Sequence, residues 1–262
     1  MKKGVQAFTV RDFFGDRDQC RETYRKIADI GYDSIQLGTP RCMTVQETKD
    51  MLDEFGLFNC STGMNYEKYL DDASVIGGAV ANARIFGTKY ITVGTLPEEN
   101  RYTLDGIKRY AHSLNNIAAE LKKEGCFLMY HHHALEFYSF GGGLNGMDIL
   151  TGETDPDGVL FVLDTHWLAA GGVDLTYWIR KMKGRVPIIH FKDYGIEEGA
   201  PKIESVCKTF AEIGEGNINW PPVVDACREA GVECVIVEQD HCKRDPFESL
   251  KISFKKLVEL GV

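Results

Sequence analysis

The chain has 262 residues, 44% hydrophobic and 26% charged. That is ordinary globular composition, and it is long enough for one α/β barrel of about 250 residues. A formal net charge of −9 argues against general affinity for nucleic acid, whose phosphates need a basic surface.

No apolar run is long enough to span a bilayer. The start, Met1-Lys2-Lys3-Gly4, passes into a strand-like segment without a signal-peptide core, so we expect a cytoplasmic protein with no membrane partner. The eight cysteines are scattered without a CxxC pair, which reads as reduced thiols rather than a disulfide framework.

Short β-rich runs alternate with helical patterns from end to end. Val5–Val10 is the first predicted strand. It is followed by a helix over Asp18–Ile30, which places Cys20, Tyr24, Ile27 and Ala28 on one face and stops at Gly31. Ser34–Leu37 precedes a helix over Thr44–Phe55 that opens with the capping-box pattern Thr44-Val45-Gln46-Glu47. Phe58–Ser61 leads to Tyr66–Phe86, Tyr90–Val93 leads to Thr103–Glu124, and Phe127–Tyr130 follows. Val159–Leu163, Leu175–Lys183, Pro187–Phe191, Pro221–Ala230, Cys234–Val237 and Pro246–Leu260 complete the series.

Most of the strands are near-continuous apolar runs, as parallel strands buried on both faces require. The pattern predicts an α/β fold, a single (β/α)8 TIM barrel over residues 1–262 with right-handed crossovers. The alternative, an open doubly wound sheet, is disfavoured because no GxGxxG follows the first strand. The Gly141-Gly142-Gly143-Leu144-Asn145-Gly146 stretch lacks the Lys-Ser/Thr of a P-loop and reads as a flexible segment near the site.

Four late strands end in polar, ligand-type residues. They run into Tyr130-His131-His132-His133-Ala134-Leu135-Glu136, Asp164-Thr165-His166-Trp167, His190-Phe191-Lys192-Asp193 and Glu238-Gln239-Asp240-His241. In a parallel barrel such ends converge on one face. Glu136, Asp164, His190 and Glu238 are the expected ligands of one divalent ion, because three carboxylates together repel one another without a cation. An oxygen-rich set of this kind suits Mn²⁺ best, with Mg²⁺, Co²⁺ or Zn²⁺ as alternatives.

Such a centre fits proton transfer beside a carbonyl through a metal-stabilised enediolate. Glu136 and Glu238 would act as acid and base from opposite faces, with His131, His132 and His133 as alternative bases. Strand alternation turns His132 away from His131 and His133. His131, His166, Trp167 and Lys192 are expected to contact substrate, Trp167 by stacking on a sugar ring. Arg11, Asp12, Asn65 and Tyr66 stand at the same end of the barrel.

At these residues the chain resembles the sugar phosphate isomerase/epimerase family, the xylose-isomerase-like TIM barrels. The resemblance covers essentially the whole chain. Tyr130–Phe137 is similar to the family's YHNHxxEF, Asp164–Trp167 to DTxW, His190–Asp193 to HxKD, Gly214–Gly216 to GxG and Val237–Asp240 to VEQD. The resemblance implies a metal set of Glu, Asp, His and Glu. Many relatives place the first glutamate at the strand end, which here is Tyr130, and His132 stands where Asn is commoner.

The expected activity is a metal-dependent sugar or keto-sugar isomerase or epimerase. The alternative is a lyase or dehydratase acting on a keto-sugar, keto-glycoside or inosose with a histidine base. A non-catalytic sugar-binding barrel is the alternative of another class. The partner would be a small sugar, and a homo-oligomer is compatible with the sequence.

Overall fold

A computed structural model of the chain describes residues 1–198 and 207–262. Its strands, in chain order, are β1 (Lys2–Gln6), β2 (Ser34–Gln36), β3 (Phe58–Asn59), β4 (Thr62–Gly63), β5 (Tyr90–Gly94), β6 (Phe127–His131), β7 (Ser139–Gly141), β8 (Leu144–Asn145), β9 (Val159–Asp164), β10 (Ile188–Phe191), β11 (Asp193–Glu197), β12 (Cys207–Ala211) and β13 (Cys234–Val237). Nine of them form one sheet in the order β3-β2-β1-β13-β10-β9-β6-β5-β4, and every pairing in it is parallel.

The two outermost members, β3 and β4, are halves of one chain run parted only by Cys60 and Ser61. The run therefore joins both edges of the sheet, and the sheet closes into the expected α/β barrel.

Side-chain alternation sorts the barrel into an outer and an inner face. Ile91, Tyr130, Phe161, Leu163, Ile189, Phe191 and Val235 pack outward against helix residues such as Tyr110, Leu114, Val224 and Leu250. Each fully buried aliphatic or aromatic side chain of this kind contributes about 1.5–3 kcal/mol. Cys60, Tyr90, Met129, Leu160, Val162, Ile188, Cys234 and Ile236 form a separate cluster, which is the inward layer. Residues two positions further along the same strands face the same interior at the C-terminal mouth. They are Thr92, His131, Asp164, His190 and, just past β13, Glu238.

Several local features follow the sequence pattern. Thr44 and Glu47 form the expected capping box on Val45–Glu54. Gly31 ends Arg17–Ile30 at φ 112°, a left-handed conformation that glycine adopts without strain.

Two expectations are corrected, and a third segment takes a definite form. Val5–Val10 is not one strand: the side chain of Gln6 accepts Phe8 N–H, and Ala7–Phe13 turns into a 3-10 helix. Tyr66–Phe86 is two helices, Tyr66–Asp71 and Val75–Phe86, parted where Asp72 accepts both the N–H and the hydroxyl of Ser74. Gly141–Gly143 is the tip of the antiparallel hairpin β7–β8, with all three glycines at positive φ. Among the described residues no helix is long and apolar enough to cross a membrane.

Candidate metal centre

Four donor atoms meet at the barrel mouth. His131 ends β6, Asp164 ends β9, His190 lies in β10 and Glu238 follows β13. Each stands two residues beyond an inward apolar residue: Met129, Val162, Ile188 and Ile236 respectively. Strand periodicity alone therefore aims all four into the barrel. Asp164 and His190 are register partners. One ligand atom from each of the four residues lies within 4.8 Å of the others.

His190 Nδ1 lies 3.0 Å from Glu238 Oε2. Asp164 Oδ2 lies 3.6 Å from His131 Nε2 and 3.8 Å from His190 Nδ1. None of these four buried atoms meets hydrogen-bond geometry, and the Lys192 ammonium approaches the two carboxylate oxygens among them. The two imidazole nitrogens have no such counter-group among the described residues, so four donor atoms converging on one point fit a divalent cation. Two imidazoles and two carboxylates make a borderline donor set rather than the oxygen-dominated one expected.

Glu136 is not in this group, which corrects its expected place as a ligand. It lies in the 3-10 turn Ala134–Phe137, fully buried. One of its oxygens accepts the hydroxyl of Tyr130 and the other accepts the backbone N–H of His133 at 2.9 Å. Burial raises its carboxyl, against the lowering effect of those two donors. His131, expected as a substrate contact, takes the fourth position. The signal was present in the sequence: Met129 faces inward, so His131 must as well.

Lys192 is the counter-charge. It is 1% exposed, and its Nζ lies 2.9 Å from Glu238 Oε2, 3.2 Å from Asp164 Oδ2 and 3.0 Å from Asp240 Oδ1. Burial would lower its ammonium, but Asp164, Glu238 and Asp240 outweigh that and raise it. In return, burial pushes Asp164 up while Lys192 and the imidazoles hold it well below its ordinary value. Glu238 is likewise pushed up by burial and drawn down by Lys192 and His190, to about 2. Asp164 Oδ1 also caps the short helix Thr165–Ala170 by accepting Trp167 N–H at 3.1 Å, which leaves Oδ2 free for the centre.

The remaining histidines differ. His132 faces away, with its Nδ1 3.0 Å from the His133 carbonyl and its Nε2 accepting Asp164 N–H, so both nitrogens are engaged. His133 lies between His131 and Trp167, with ring centroids at 4.8 and 5.3 Å, and its Nδ1 has no partner. Burial, then the neighbouring imidazoles, pushes it down to about 3. His166 donates from Nδ1 to the Asp193 carbonyl at 3.2 Å and stacks on Phe210 at 4.4 Å. Trp167 is partly buried, its ring 5.2 Å from Lys192 Nζ.

A cavity of about 220 Å³ opens beside His131 and His190. Its polar wall includes Gln6, Gln36, Ser61 and Thr92, with Thr62 beside them. The sequence reading missed them all, because uncharged amides and hydroxyls at strand ends look like ordinary loop residues until the barrel closes.

Comparison with known proteins agrees with this architecture. Inosose dehydratase from Geobacillus thermodenitrificans is 32% identical over 166 residues, 58% of this chain and 51% of that protein. The chain thus spans about half the length of the curated relatives it matches. A sugar phosphate isomerase/epimerase structure from Parabacteroides distasonis superposes with a TM-score of 0.81 at 19% identity, covering 99% of this chain and 98% of the other. The IOLI protein, solved with a zinc atom, gives a TM-score of 0.74 at 16% identity over 99% and 98%. The profile described as xylose isomerase-like TIM barrel matches residues 24–257. Over nearly its whole length the chain belongs to the xylose isomerase-like TIM barrel family.

Proposed function

We propose that the chain is a metal-dependent lyase that removes water from a small polyhydroxylated ketone, of which inosose is the first to test. The observation that carries this reading is the state of Glu136. Moving a proton between two faces of a carbon, or between neighbouring carbons, was expected to use Glu136 opposite Glu238. Both oxygens of Glu136 are instead committed to Tyr130 and His133. What remains is a base on one side, which suits elimination. The likeness to inosose dehydratases points the same way.

His131, Asp164, His190 and Glu238 would hold the ion, and their mixed nitrogen and oxygen donors suit Mn²⁺, Co²⁺ or Zn²⁺ better than Mg²⁺. When bound, the ion would polarise the substrate carbonyl and its neighbouring hydroxyl. His133, whose Nδ1 has no hydrogen-bond partner, would take the proton from the carbon next to the carbonyl. The C–H electron pair forms the new double bond as the β-hydroxyl departs. The His133 imidazolium returns the proton to that hydroxyl, so water leaves and the base is regenerated. Lys192 holds Asp164 and Glu238 ionised and in place. Trp167 offers an apolar face to the ring carbons, and the amide and hydroxyl wall meets the remaining hydroxyls.

The test is incubation of Mn²⁺-, Co²⁺- or Zn²⁺-loaded protein with inosose and other keto-sugars in D₂O, followed by mass spectrometry and NMR. Loss of one water, abolished by His133→Ala, is the expected result. Deuterium beside the carbonyl without water loss would instead make the chain an isomerase or epimerase. No metal uptake and no turnover would leave a sugar-binding barrel.

A further inference from the structure

The polarity of one hydrogen-bond relay beside the donor cluster is set from its far end. The backbone N–H of Phe8 can only donate, and it meets Gln6 Oε1 at 3.3 Å. Gln6 must therefore present its amide nitrogen to Gln36, which it does at 2.9 Å. The Gln36 atom receiving that donor must be the carbonyl oxygen, and the same oxygen lies 2.5 Å from His190 Nε2. An oxygen that accepts there requires the imidazole nitrogen to carry the proton. The other end of the Gln36 amide agrees: its nitrogen donates to Ser61 Oγ at 2.7 Å, and that hydroxyl pairs with Thr92 Oγ1 at 3.0 Å.

A neutral imidazole with its proton on Nε2 keeps its lone pair on Nδ1. Nδ1 faces Glu238 Oε2 at 3.0 Å and Asp164 Oδ2 at 3.8 Å without hydrogen-bond geometry to either, so the shorter Gln36 contact on Nε2 and the carboxylates on Nδ1 compete for the one proton of the neutral ring.

We propose that Gln6 and Gln36 are positioning residues that lock His190 as the Nε2–H tautomer, so that Nδ1 meets the cation as a ready donor. The inference rests on the metal reading given above. Partners of this kind fix the ring orientation of a ligating histidine and raise its basicity. Here the direction of the whole relay is dictated by a backbone amide, which cannot rotate as a side-chain amide can.

The experiment uses metal-free protein with ¹⁵N-labelled histidine and long-range ¹H–¹⁵N correlation, about two pH units above the ordinary histidine range. His190 should appear as Nε2–H in the wild type. Gln36→Leu, with no acceptor, should show the Nδ1–H form, whereas Gln36→Glu, which keeps an acceptor, should retain Nε2–H. Gln6→Leu, which frees the Gln36 amide to rotate, should fall between them. Co²⁺ titration followed by absorption should show affinity about 10-fold weaker in Gln36→Leu and restored in Gln36→Glu.

Finding Nδ1–H in the wild type overturns the proposal even if no variant folds, as does one tautomer shared by the Leu and Glu variants. A wild type that binds no Co²⁺ but shows Nε2–H would overturn the metal reading and uphold the relay.

Discussion

His132 Nε2 accepts the backbone N–H of Asp164 at 3.0 Å, which makes the middle imidazole of the histidine run a strut between β6 and β9. Its Nε2 can accept only as a bare nitrogen, so the proton sits on Nδ1 and is donated to the His133 carbonyl. The ring is fully buried, and burial pushes it from an ordinary 6.5 down to about 4. His133 is pushed down to about 3. In the unfolded chain both imidazoles take protons near 6.5, while the folded state refuses them. The stability they protect is therefore complete above that value and is lost as pH falls toward their folded values.

Urea unfolding of metal-free protein should show about 2 kcal/mol less stability per imidazole at pH about 5 than at pH about 7.5. His132→Gln should roughly halve that drop. Equal stability at the two pH values would show that neither imidazole is kept neutral by the fold.

The exchange of Glu136 for His131 in the donor set is open to direct test. His131→Ala should reduce bound Mn²⁺ well below one ion per chain by elemental analysis. Glu136→Gln should keep the ion but lower stability by about 1–3 kcal/mol, because Tyr130 and the His133 N–H meet different oxygens and one of those positions would become an NH2, which cannot accept. The reverse pattern, with metal lost in Glu136→Gln and kept in His131→Ala, would restore the glutamate as the ligand.

Lys192→Met should destabilise the metal-free protein by about 3–5 kcal/mol, since it leaves Asp164, Glu238 and Asp240 without their buried counter-charge. A divalent ion should restore much of that loss, so the rise in melting temperature on adding Mn²⁺ should be larger in the variant than in the wild type. Equal shifts would mean that the ammonium does not neutralise the carboxylates the ion would use.

Asp193 takes donors from five groups: the N–H groups of Tyr194, Gly214, Gly216 and Ile218, and Trp220 Nε1 at 2.7 Å. Asp193→Ala should cost at least about 3 kcal/mol in urea unfolding, because several buried donors lose their acceptor together. Gly216→Ala should act on the same contact, since a Cβ there would sit 2.3 Å from Asp193 Oδ1. A near-neutral result in both variants would show that the turn holds without the carboxylate.

The barrel was legible because buried parallel strands are written as apolar runs, and Asp164, His190 and Glu238 because each ends or closely follows such a run. Glu136 misled for a definite reason. It lies five residues beyond the end of β6, past the reach of strand alternation, and only the 3-10 turn decides that its carboxylate folds back onto Tyr130. The run after Val5 misled because apolar residues continue through Ala7, Phe8 and Val10, while the capping bond from Phe8 to Gln6 breaks the strand. Gln36 was hidden because its role depends on His190, 154 residues away along the chain.

The interruption between β3 and β4 has its own consequence. On either side of Cys60 and Ser61 the ring of strands is held by two-residue pairings. Across the break the backbone bond from Cys60 N–H to the Ile35 carbonyl is supplemented by hydroxyls and an amide: Thr88 to the Cys60 carbonyl, and Ser61 to both Gln36 and Thr92. Ser61 thus stitches β2 to β5 over a seam where the regular ladder is missing. The side chains that face the cavity also fasten the hoop, so reshaping that wall for another substrate would loosen the barrel at its thinnest joint.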